Sequence, residues 1–205
     1  MKANLPESRF FDFLLAINQP YLNNFEKWVF QPGMLFDSLD KWWGDKEKRQ
    51  TAHEGIDLCC FKENNGQVTT LHKKIKIPAT FSGTIFKTEK DFLGTSIYLR
   101  HNIFAQDLRQ LYTIYGHTTP LSSVIAKQKV EAGEPIAQVS EFTPKGTDIP
   151  PHLHLSFAWV PAPVEPNRLT WQNLTQDPGI TLIDPFSVLT LPACYDANLT
   201  SMVES

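Results

Sequence analysis

Pro150-Pro151-His152-Leu153-His154-Leu155-Ser156-Phe157-Ala158-Trp159 is the stretch on which the fold turns. The paired prolines punctuate the chain, and the residues after them alternate with a period of two. In a strand, His152, His154 and Ser156 point to one face, and Leu153, Leu155 and Phe157 point to the other, into a core. The two imidazoles then stand about 6–7 Å apart. Buried polar rings need partners, so such a pair is ill suited to idle packing. It can set one ring on a metal and the other beside it.

Outward from this strand, short β runs recur at Asp57–Lys62, Gln67–Leu71, Thr80–Lys87, Thr95–His101, Leu111–Gly116 and Pro135–Val139. Gly83, Gly94 and Gly133 punctuate them, and Glu63-Asn64-Asn65-Gly66 supplies a hairpin turn. The spacing predicts an all-β core of antiparallel sheets, a sandwich or partly open barrel around a groove. Residues 1–50 are rich in aromatics and read as a small helical or irregular N-terminal layer packed on the main body. Within it, Ser8–Ile17 is expected to open a helix capped by Ser8 and ended or kinked by Pro20. Asp37–Trp43 is expected to form a further helical turn. Residues 51–190 form the main domain, and residues 191–205 a tail. The chain beyond Pro161 reads as irregular, with one packed patch at Ile183-Asp184-Pro185-Phe186.

Composition sets outer bounds. The 205 residues carry a net charge of -3, which argues against a broad cationic face and against nucleic acid as a partner. No apolar run approaches the roughly 20 residues of a spanning helix. Phe10–Ile17 is broken by Asp12, follows Glu7 and lacks a small-residue cleavage site, so no signal peptide is visible. Three cysteines, Cys59, Cys60 and Cys194, make no disulfide framework and no zinc ribbon. One of the adjacent pair is expected in the core and the other on the opposite side. Any zinc must therefore be held by histidine and carboxylate.

A second polar element is His53-Glu54-Gly55-Ile56-Asp57. In extended chain, residues four apart share a face, and Gly55 allows the backbone to bend or approach closely. The fifth residue is Asp57 rather than histidine, so this is not a His-Glu-x-x-His helix. Two donors here and one from the His-x-His strand leave a fourth tetrahedral position open, the pattern of a catalytic zinc site. Taken singly, either motif is more often a structural or surface feature.

Tyr115-Gly116-His117, at the end of a predicted strand, completes the set. The ordered series His-x-Gly-x-Asp, Tyr-Gly-His and Pro-His-Leu-His resembles the lysostaphin/LytM-type zinc endopeptidases that cut peptidoglycan cross-bridges. Gly83-Thr84-Ile85, Ser96–His101, Val130-Glu131-Ala132-Gly133 and Ile183-Asp184-Pro185 extend the similarity over roughly residues 50–190. The resemblance implies zinc bound by His53, Asp57 and His154, with His117 and His152 as unliganded catalytic histidines. It implies hydrolysis of a peptide or peptidoglycan substrate by zinc-activated water, and delivery to the cell envelope or outside. The alternatives are a non-catalytic LytM-like scaffold, or a zinc-carrying binding module that regulates a partner hydrolase. His72, beside three lysines, is expected to be solvated, and His101 to be a strand-end residue near the groove. The stretch before His53 and the short loop Glu141–Pro151 depart from the family pattern. Both shape the groove, so the resemblance leaves the scissile bond open.

Overall fold

A computed structural model describes residues 5–44, 47–142 and 148–190. Two short helices, α1 (Phe10–Ile17) and α2 (Gln19–Leu22), precede strands β1 (Phe25–Val29), β2 (Ile56–Leu58), β3 (Cys60–Glu63), β4 (Val68–Thr70) and β5 (Lys76–Pro78). Three longer strands follow, β6 (Gly83–Asp91), β7 (Gly94–Phe104) and β8 (Gln110–Pro120), then β9 (Lys129–Val130), β10 (Pro135–Val139) and β11 (Leu153–Val160). Helix α3 (Trp171–Gln176) and strand β12 (Thr181–Ile183) come last.

All eight residues of β11 are buried, because a layer covers each of its faces. Leu153, Leu155, Phe157 and Trp159 enter the larger core, which also holds α1. Ala158 and Val160, pointing the other way, meet a smaller cluster with Leu169, Leu174 and Trp171. The alternation read from the sequence is thus realised, with apolar cover on both sides. One edge of β11 pairs with β8 from His154 to Val160. The other edge is shared end to end, by β2 against Leu153–Leu155 and by β12 against Phe157–Trp159.

The main sheet runs β12-β11-β8-β7-β6-β9, with β2 on β11, β10 on β8 and β5 on β10; β1, β3 and β4 form a second sheet. All the strand pairings among the described residues are antiparallel, as expected. The predicted hairpin forms around Gly66, which takes φ +88°. Its first arm, however, is two strands. β2 belongs to the main sheet and β3 to the small one, so the chain changes sheets at Cys59. Both Cys59 and Cys60 are consequently buried rather than divided between core and surface.

Several local expectations are corrected. Ser8 does not cap α1, since its hydroxyl donates to the Thr80 carbonyl (2.7 Å) and Arg9 takes the cap position. Pro20 lies in the first turn of α2, a place that needs no N–H, and so opens a helix instead of ending one. Asp37–Trp43 is not helical: Asp37 takes φ +62°, its N–H bonds the His53 carbonyl, and Asp40 bridges to Lys48. Those donors are spent on other segments, and the nearby helical turn is a 3-10 turn at Pro32–Met34. Beyond Pro161 the chain is ordered into α3 and β12. The Ile183–Phe186 patch is packed, with Phe186 edge-on to Phe30. Ser8 also makes a parallel bridge to Leu189, with N–H bonds running both ways between residues 8, 188 and 190. The expected tail 191–205, with Cys194, lies outside the described residues.

His101 is neither at a strand end nor beside the groove. It is fully buried, on the sheet face that carries Thr113 and Tyr115. Its Nδ1 faces the Ser82 carbonyl (3.1 Å) and its Nε2 the Thr113 hydroxyl (2.8 Å), which continues to Thr80 and Tyr115. A carbonyl can only accept, so the ring is protonated at Nδ1 and neutral. Burial lowers its pKa to about 4 against the opposing pull of the Ser82 carbonyl. The unfolded chain takes up this proton near pH 6.5 and the folded one only near 4, so stability falls as pH drops across that window. The loss amounts to roughly 3 kcal/mol at about 1.4 kcal/mol per pH unit. His101→Gln is expected to flatten the slope of unfolding free energy between pH 6.5 and 4; parallel slopes in denaturant titrations would refute this account.

Candidate metal centre

Pairing of β2 with β11 sets Asp57 directly opposite His154, and β8 sets Gly116 opposite it on the other side. Partners across a ladder share a face, so the Asp57 carboxylate and the His154 ring meet above the sheet. Gly55 makes this pairing possible. A Cβ there would lie 2.2 Å from the Leu155 carbonyl oxygen and 2.6 Å from Ser156 Oγ. The extended segment then returns His53 to the same place, where its N–H and C=O bond Ser38 and Asp37.

Three donor atoms converge as a result. Asp57 Oδ1 lies 2.9 Å from His154 Nδ1 and 3.2 Å from His53 Nε2, and the two nitrogens are 3.1 Å apart. Ligands held at about 2.1 Å around a tetrahedral ion are separated by roughly 3.4 Å, so the triangle is close to what zinc needs. The outward atoms of the rings are already engaged. His53 Nδ1 donates to the Leu35 carbonyl (3.0 Å), which leaves its Nε2 lone pair facing inward. His154 Nε2 bonds Ser156 Oγ (2.8 Å). A single proton on His154 Nδ1 can satisfy Asp57, but it leaves the His53 lone pair directed at a carboxylate oxygen. A cation resolves all three contacts, so the donor set fits a metal. Asp57 and His154 are buried, and so is His53, which makes an unshared arrangement of acceptors costly.

Electrostatics reinforce this. Burial alone would raise the Asp57 carboxyl, but the facing His53 and His152 rings and the His154 hydrogen bond hold it well below the usual carboxylate range. Burial pushes the pKa of His154 down to about 4, against the pull of Asp57, and does the same to His152. At neutral pH Asp57 is therefore ionised and His154 neutral, the protonation states that ligation by these two groups requires.

His152 and His117 stand beside the triangle. His152 Nδ1 donates to the Pro150 carbonyl (2.8 Å), and its Nε2 lies 3.9 Å from Asp57 Oδ1. The His117 and His152 rings are 4.9 Å apart. His117 lies at a bulge within β8 with φ +62°, and its ring lines the cleft. All five residues singled out from the sequence thus line one cleft of about 340 Å³. His72 is exposed and stacked on Tyr21, as expected of a solvated residue, and His101 lies elsewhere in the core.

Four further residues escaped the sequence reading. Asp91 receives the His117 backbone N–H (2.9 Å) and faces its Nδ1 (3.2 Å). Burial works to raise this carboxyl, but the His117 contacts and the Ser96 hydroxyl (2.6 Å) outweigh it and hold it far down. Trp171 bonds that same hydroxyl (2.9 Å) and packs edge-on against His154. Trp42 donates to Asp57 Oδ2 (2.7 Å), and Arg49 lies 3.7 Å from the same oxygen. In the sequence Asp91 is only a hairpin-turn residue, and the tryptophans are aromatics in stretches without periodicity; no spacing marks them. Gly55→Ala is expected to push β2 off β11, cost about 1–3 kcal/mol by overpacking and lower bound zinc below one equivalent. Full zinc occupancy by elemental analysis would show that the close approach is dispensable.

Comparison with known proteins agrees with this geometry at the level of family. A family model described as peptidase family M23 matches residues 51–166. Among solved structures, the chain is similar to CbpA from L. salivarius REN, at 18% identity over 77% of this chain and 84% of that one, with a TM-score of 0.47. It is similar to lysostaphin from Staphylococcus simulans, at 20% identity over 81% of this chain and 49% of that one, TM-score 0.43. It is also similar to a putative glycyl-glycine endopeptidase LytM from Ruminococcus gnavus, at 14% identity over 68% and 50%, TM-score 0.40. No curated protein sequence matches the chain. Since the M23 model spans more than half of its residues, the chain belongs to peptidase family M23.

Proposed function

We propose that this M23 peptidase is a zinc-dependent endopeptidase acting on peptidoglycan peptides, with the metal held by His53, Asp57 and His154. The observation that carries the reading is the triangle of three buried donors, all within 3.2 Å of one another, with the His53 Nε2 lone pair turned inward by the bond of Nδ1 to the Leu35 carbonyl. Residues 51–190 are read as the peptidase domain, with the aromatic segment before it packed on its core. A cleft walled by Trp43, Phe92, Leu93 and Trp171 suits an extended peptide.

Zinc, when bound, supplies a Lewis acid that polarises the scissile carbonyl and lowers the pKa of the attacking water. The chain supplies the proton handling. With its Nδ1–H given to a carbonyl, His152 presents Nε2 as an acceptor that orients the water. His117 is backed by the Asp91 carboxylate, which can only accept, so the ring carries a proton on Nδ1 and turns Nε2 to the cleft as an acceptor. His117 therefore takes the proton and returns it to the leaving amine. Its neighbour, held neutral by burial, cannot keep it.

Wild-type protein is expected to bind one equivalent of zinc and to cleave purified peptidoglycan in a chelator-sensitive way. His154→Ala should lose both. His117→Ala and Asp91→Asn should keep zinc while losing about 100-fold or more in turnover. A wild type purified without zinc that still cleaves at full rate in chelator would refute the proposal.

A further inference from the structure

Resting on the zinc reading above, we infer that Trp42 is a positioning residue that restricts Asp57 to a single metal-facing oxygen. A carboxylate has two oxygens, and an unrestrained one can close on an ion through both, taking up the corner that water needs. Here the second oxygen, Oδ2, accepts the Trp42 indole N–H at 2.7 Å, while Oδ1 points to His53 and His154. Tryptophan suits this task chemically. Its Nε1–H can only donate, so it cannot compete as a ligand, as a serine, tyrosine or histidine in that place could. Arg49 stands 3.7 Å from the same oxygen, beyond hydrogen-bond distance, and adds positive charge without displacing the indole.

The indole is itself held in place. Trp42 is buried, and its backbone lies against Gly33, where a Cβ would come within 2.7 Å of the Trp42 nitrogen. Arg49 ties the two segments by donating to the Asp40 and Gly33 carbonyls, each at 3.0 Å. The same ring meets His152 edge-on, with centroids 5.0 Å apart. One side chain therefore orients a metal ligand with its polar edge and a proton-handling histidine with its apolar body.

Trp42→Phe removes the donor and keeps an aromatic ring. Trp28→Phe is the matched control, since Trp28 is also buried and its indole N–H has no partner among the described residues. Two readouts separate coordination from packing: zinc affinity by chelator competition, and the visible d–d absorption of the cobalt(II)-substituted protein, which is intense for four-coordinate cobalt and weak at higher coordination. Trp42→Phe is expected to weaken zinc binding about 10–100-fold and to lower the cobalt band intensity as Oδ2 joins the ion. Trp28→Phe should change neither. Unchanged affinity and spectrum in Trp42→Phe, or the same losses in Trp28→Phe, would overturn the inference and leave the zinc reading standing. Should Trp42→Phe fail to fold, benzothienylalanine at position 42, with sulfur in place of the N–H, gives the same two readouts. A wild type that takes up neither zinc nor cobalt would overturn the zinc reading and this inference together.

Discussion

Asp57 stands opposite His154 because β2 lies antiparallel on β11, and the site hangs on that register. Side chains in a strand alternate between faces, so a slip by one residue would turn Asp57 into the core and bring Ile56 into the cleft. Two features resist the slip. Gly55 lets the backbones approach where any Cβ would collide, and Ile56 and Leu58, both buried, are anchored on the apolar side. The same three-residue pairing that serves the sheet therefore delivers a carboxylate to an imidazole.

Around this pairing, the polar groups are arranged in shells. Each histidine of the cleft has its outer nitrogen engaged, by the carbonyls of Leu35 and Pro150, the hydroxyl of Ser156 or the carboxylate of Asp91. Where that partner is a carbonyl or a carboxylate, which can only accept, it fixes the tautomer, and with it what the inner nitrogen can do. Leu35, Trp42 and Arg49 precede His53, so the aromatic N-terminal segment contributes partners to the centre as well as packing to the core. The two clusters on either side of β11 exclude water from the site's floor, which is why the rings of His152 and His154 stay neutral.

How much of this was legible before the structure depended on whether a residue's role was periodic or positional. The antiparallel β core followed from alternation in Leu153–Trp159 and from glycine punctuation, both local signals. The five polar residues of the cleft were legible because their ordered series resembles that of the lysostaphin/LytM-type peptidases; each short motif alone was ambiguous. Asp91, Trp42 and Trp171 were not, because each acts through one long-range contact that no local pattern encodes. The mistaken helical turn at Asp37–Trp43 has the same origin: its backbone groups bond to His53, Glu47 and Arg49, partners that only the folded chain brings near. His101 looked like a strand end because β7 was expected to stop there; the strand instead continues to Phe104 and carries the ring into the core.

The ladder joining Ser8 to Val188 and Thr190 has an architectural consequence. It pins together two described segments far apart in sequence, and because the bridge is parallel the chain runs the same way through both. Joining residue 190 to residue 8 through a linker long enough to run back along that seam, and opening the chain at the Asn65-Gly66 turn, should therefore give a permuted molecule with the same cleft.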